Sequence, residues 1–140
     1  MKVHWPCRNV VVAMGNVVAQ QAPVLRRAVD LAGSLGAAVR LVHAIPAAEH
    51  QPWEFGGDEF GHFLMQKAEQ EMAALQATAG TTVEATLVAG AIGPVVRQVA
   101  EALNADLVII GRGVMHEALG RLRSQSYEII RQSPCPVLSL

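Results

Sequence analysis

The residues best suited to chemistry lie in one stretch, Asp106 to Ser126, which reads DLVIIGRGVMHEALGRLRSQS. An all-apolar run, Leu107 to Ile110, leads straight into Gly111-Arg112-Gly113. Glycines without a Cβ let the main chain approach an anion closely. Arg112, Arg121 and Arg123 stand against Glu117 alone, leaving residues 111–126 at a net +2. Ser124-Gln125-Ser126 reads as the opening of a short helix, whose first N–H groups favour negative charge. The chemistry this implies is the holding of a phosphate or another small anion, not the making or breaking of a bond. The same residues also suit a tight turn, a solvated loop and an N-cap worth about 1 kcal/mol.

Such a stretch needs a sheet to present it. Asn9–Met14 (NVVVAM) is β-branched and too evenly apolar for an amphipathic helix, so it predicts a buried strand. From about Pro23 the period turns helical, with Leu25, Ala28, Val29, Ala32 and Leu35 on one face and Gly36 placed to end the helix. Ala38–Ile45 is a second strand, stopped by Pro46. Residues 47–59 predict a loop that runs into a long helix from about Glu59 to Ala79. Thr81–Val88 alternates as a third strand, and Gly93-Pro94 starts a helix with the stripe Val95, Val96, Val99, Ala102 and Leu103. Leu107–Ile110 is the fourth strand, Ser124–Gln132 a helix, and Val137–Leu140 a last strand. The order βαβαβαβαβ with right-handed crossovers predicts one α/β domain over residues 1–140, a doubly wound open parallel five-stranded sheet. In such a sheet ligands settle beyond the carboxyl ends of the strands, where the opening stretch lies.

Composition narrows the partners. Of 140 residues, 51% are hydrophobic and 16% charged, which fits a well-buried domain and argues against disorder. A net charge of -1 gives no basic field, so no nucleic acid partner is expected. No apolar run reaches the ~20 residues of a membrane span. The N-terminal residues lack a signal-peptide plan, so the expected address is cytoplasmic, with no membrane partner.

Other chemistry finds little support. Cys7 and Cys135 lack metal-ligand spacing, and His50, His62 and His116 form no metal pattern with acidic neighbours, so no metal is expected. His43, within a strand, predicts a satisfied core or edge residue. No Ser-His-Asp or Cys-His arrangement is apparent, so no catalytic residue is assigned. A phospho-receiver domain would need acidic residues where the first strand ends in Val12-Ala13-Met14. Residues 47–71 carry six acidic side chains against Lys67 and four of the six aromatics, Trp53, Phe55, Phe60 and Phe63. They could lid a small-molecule ligand, contact a partner chain or roof the core.

Three segments together carry a resemblance: LRRAVDLAGSLGAAVRLVHAI, GPVVRQVAEALNADLVIIGRG and the ending SPCPVLSL. Over nearly the whole chain the sequence resembles the universal stress protein (UspA-like) family. The resemblance implies strand order 3-2-1-4-5, the adenine nucleotide alpha hydrolase-like arrangement, and a homodimer through the final strand Val137–Leu140. With that order, Cys7 and Cys135 begin strands separated by one other, about 9–10 Å apart and too far for a disulfide. The family's ATP binders carry Gly-x-x-Gly, nine residues, then Gly-Ser or Gly-Thr, with an aspartate ending the first strand. This chain departs from that pattern. Gly111-Arg112-Gly113 is one residue short, Gln125 replaces the glycine before Ser126, and Met14 replaces the acid. The resemblance thus implies a stress-response binding or signalling module without efficient catalysis. Its alternative is an adenine-nucleotide switch or slow ATPase with ATP as cofactor, lined by Met14, Val42, Gly111, Gly113, Arg123, Gln125 and Ser126.

Overall fold

The structure is a computed structural model that describes residues 5–14, 21–45, 58–111 and 119–140, with residues 58 and 119–124 as backbone. Five strands alternate with four helices: β1 (Asn9–Met14), α1 (Ala22–Leu35), β2 (Ala38–Ile45), α2 (Asp58–Ala79), β3 (Glu84–Ala89), α3 (Ile92–Ala102), β4 (Leu107–Ile110), α4 (Leu119–Gln132) and β5 (Val137–Ser139). All strand pairs are parallel, and the sheet order is β3-β2-β1-β4-β5, as the pattern and the resemblance imply.

The strand alternation divides the core in two. Val10, Val12 and Met14 of β1 face α1 and α2, together with Leu41, Leu107 and Ile109. Val11 and Ala13 face α3 and α4, together with Val42, Val108 and Ile110. Period-2 alternation with apolar residues on both faces explains why β1 after Asn9, and all of β4, show no polar position.

Helix ends follow from local chemistry. Pro23 stands in the first turn of α1, where its missing N–H costs nothing. Gly36 ends α1 at φ 66°, and the N–H of Ala37 donates back to the carbonyl of Ala32 at 2.9 Å. Arg26 of α1 reaches the last turn of α2, where its Nε donates to the Ala79 carbonyl at 3.0 Å and its terminal nitrogen to that of Thr78 at 3.2 Å. A cation at a helix C-terminus answers both the free carbonyls and the dipole. No described helix is long and apolar enough to cross a membrane.

Two boundaries differ from the sequence expectation by more than one residue. β3 begins at Glu84, not Thr81, because Gln76 of α2 takes the main-chain groups just before it. Its side-chain carbonyl accepts from the N–H of Val83 at 2.8 Å, and its amide donates to the Val83 carbonyl at 2.9 Å. Pairing with β2 then starts at Arg40 opposite Glu84. α4 begins at Leu119, five residues before the expected Ser124. Leu119, Arg121, Leu122 and Arg123 are good helix formers, and the run of positive charge obscures that propensity.

Candidate functional site

The strand order reverses between β1 and β4, and a doubly wound sheet opens its binding crevice beyond the carboxyl ends at such a point. Three described residues frame this pole: Met14 at the end of β1, His43 near the end of β2, and Gly111 just after β4.

Met14 is 2% exposed, with its side chain among the residues under α1. His43 lies opposite it in the parallel ladder and is likewise buried. The Nδ1 of His43 is 2.9 Å from the carbonyl oxygen of Met14. A carbonyl can only accept, so the imidazole carries its proton on Nδ1 and donates it there. The expectation of a satisfied core histidine is met, and the histidine also turns out to fasten the edge of the pole. Its strand position hid that second role, since a partner across the ladder has no local sequence signal.

Gly111 sits against the start of α1. A Cβ built on it would lie 3.1 Å from Oε1 of Gln21 and 3.4 Å from both methyl groups of Val24. The glycine therefore has a packing role beside any role toward a ligand. Gln21 precedes α1 without capping its leading N–H groups through its side chain. The first turn of α1 also lacks an acidic residue.

The remaining sequence-predicted residues lie differently. Val42 is fully buried within β2, paired with Ala13 on one side and Thr86 on the other. The described β1 ladder ends at the Met14–His43 pair, so Ala44 and Ile45 are the β2 residues that extend past it. Gln125 and Ser126 lie inside α4; Ser126 is its eighth residue, so neither it nor Ser124 opens the helix as the sequence suggested. Gln125 is exposed and Ser126 half-buried. Arg121 and Arg123 are α4 residues, not loop residues. Gly113, Arg112, His116, His50, Trp53 and Phe55 lie outside the described residues. Phe60 and His62 are both on α2, Phe60 half-buried and His62 exposed.

The opposite pole has its own polar anchor. Asp106 Oδ2 accepts the main-chain N–H of Arg8 at 2.8 Å and of Asn9 at 3.1 Å, tying the mouth of β1 to that of β4. These two bonds hold its carboxyl below the ordinary value, with Arg8 adding charge. Nearby, burial pushes the Cys7 thiol up, and the charges of Asp106 and Cys135 add to it. Burial also raises Cys135, against a hydrogen bond with Ser133. Both cysteines are free thiols, and raised thiols are poor nucleophiles. Among the described residues no group of three or more His, Cys, Asp or Glu could hold a metal ion.

Comparison with known proteins places this geometry. The model of the universal stress protein family matches residues 6–140. A universal stress protein solved in complex with cAMP is similar over 97% of this chain and 98% of its own, at 23% identity and a TM-score of 0.63. The universal stress protein UspA from Lactobacillus plantarum is similar over 98% and 99%, at 17% identity and a TM-score of 0.69. A universal stress protein from Archaeoglobus fulgidus in complex with dAMP is similar over 96% and 98%, at 18% identity and a TM-score of 0.60. No curated protein matches the sequence. At these identities the solved structures speak for the fold, and the family match over nearly the whole chain decides membership: the chain belongs to the universal stress protein family.

Proposed function

We propose that this chain is a dimeric binding or signalling module of the stress response, cytoplasmic and without efficient catalysis, with its ligand pole beyond Met14, His43 and Gly111. The observation that carries this reading is Met14. A buried thioether ends β1 where hydrolysis of a nucleotide triphosphate would call for a group able to hold a ribose hydroxyl or a metal ion. The Met14 carbonyl already accepts from His43. Ser126, well inside α4, has its main chain committed to the helix. The open strand β5, with exposed Leu138 beside Val137, supports a dimer made through residues 137–140.

Sedimentation equilibrium and calorimetry test the reading together. The expected result is a dimer at micromolar concentration with no ATP turnover in the presence of magnesium. A strict monomer, or steady ATP hydrolysis, overturns it.

A second reading is an adenine-nucleotide switch in which the pole takes a nucleotide with a single phosphate group. It is favoured by the relatives solved with cAMP and dAMP, each of which carries one phosphate. Gly111, free of a Cβ, stands where that phosphate would approach. Saturable heat from cAMP or AMP at concentrations where ATP gives none supports this reading, and silence from all three removes it.

A further inference from the structure

α2 is longer than the sheet beside it. Its 22 residues span about 33 Å, whereas the six residues of β3, the strand it leads into, span about 20 Å. Gln76 is bonded to Val83 just before β3, which sets the last turns of α2 level with the opposite pole of the sheet. The surplus of about 13 Å therefore projects past the carboxyl ends of the strands. Burial agrees with this. Ala68, Met72, Leu75 and Ala79 are buried, and no described side chain of the helix before Ala68 is. The same stripe continues four residues at a time through Leu64 and Phe60, both half-buried. The ligand pole thus has an apolar wall.

His43 stands at the foot of that wall. Leu41 faces α1 and α2, so His43, two residues further along β2, faces the same way. It is 7% exposed. With the proton of Nδ1 given to the Met14 carbonyl, Nε2 carries a lone pair and can only accept. No described residue bonds to Nε2. Among the described residues no wholly enclosed side-chain nitrogen or oxygen lacks a partner, so Nε2 lies open to the pole. An acceptor in so apolar a place is satisfied best by a donor that the ligand itself brings. An acceptor at the edge of an apolar wall selects a flat, largely apolar group that carries an N–H.

We infer that His43 reads the base of a bound nucleotide, its Nε2 accepting a hydrogen from the exocyclic amine of adenine while the ring lies against the Leu64 stripe. This rests on the adenine-nucleotide reading above and adds to it a residue that rejects purines without that amine. The test is calorimetry with AMP, dAMP and purine riboside 5′-monophosphate, which lacks the amine, on wild type and His43→Asn. Asparagine keeps a donor for the Met14 carbonyl but has no atom at the place of Nε2. Wild type should bind AMP about three- to tenfold more tightly than the analogue without the amine, with dAMP close to AMP. In His43→Asn, AMP and that analogue should bind alike. A merely structural role would weaken both by the same factor and keep their ratio. Long-range proton–nitrogen NMR on wild type needs no variant: the Nε2 resonance should move as AMP saturates and stay still with the analogue. An AMP preference that survives in His43→Asn, or an Nε2 resonance unmoved by bound AMP, overturns the proposal and leaves the nucleotide reading standing. A preference that follows the 2′-hydroxyl, with dAMP the weak binder, overturns it too. The absence of any binding by AMP removes the nucleotide reading and this proposal with it.

Discussion

His43 faces Met14 across the β1–β2 ladder and donates from Nδ1 to its carbonyl at 2.9 Å, so two strands are joined at their carboxyl ends by a side chain. Replacing the ring removes both a buried volume and a partner for a buried carbonyl. His43→Ala should cost about 2–4 kcal/mol in urea unfolding. His43→Asn, which keeps a donor, should recover part of that loss. A cost below about 0.5 kcal/mol in both variants would show that the bond is dispensable.

Asp106 makes stability depend on acid. Its folded carboxyl lies below the ordinary carboxylate value, so ionisation favours the folded state. The contribution is complete at neutral pH and above. It begins to fall as pH drops through the unfolded value of about 3.9 and is gone below the depressed folded value. Asp106→Ala should therefore melt below the wild type at pH 7, with the gap narrowing steadily below about pH 4. A gap constant from pH 7 to pH 3 would contradict this assignment.

Two glycines should respond unequally to the same change. A Cβ on Gly93, in the first turn of α3, would lie 3.0 Å from Glu128 Cβ and 3.3 Å from its carbonyl oxygen, both on α4. Since backbone has to move, Gly93→Ala should destabilise by about 1–3 kcal/mol. A Cβ on Gly111 meets chiefly the mobile end of Gln21 and ordinary contact from Val24. Gly111→Ala should stay within about 0.5 kcal/mol of wild type in thermal or urea unfolding. If nucleotide heat is nonetheless lost in Gly111→Ala, the loss reports main-chain approach to the ligand and not damage to the fold.

Particular residues explain how far the sequence was legible. β1, β2 and β4 were plain because β-branched runs buried on two faces leave no competing period, and Gly36 marked the end of α1 through a positive φ that few other residues tolerate. The start of β3 was hidden because the competitor for Val83 is Gln76, seven residues earlier on a helix. The start of α4 was hidden because charge density suggested a loop where Leu119, Leu122 and their arginines favour a helix. At the candidate site, Gly111 was visible as a turn, but its neighbour Gln21 is ninety residues away and carries no motif. Contacts between elements, unlike periods within them, leave no spacing to read.

Gln76 has a further consequence for solubility. β3 is an outer strand of the sheet, and an outer strand is a template on which other chains can stack into aggregates. By occupying both main-chain groups of Val83, the amide of Gln76 denies an incoming chain the residue from which such stacking could extend toward the helix. The side chain of Gln76 thus imitates a strand for the single residue before β3, and marks where the ladder on that flank stops.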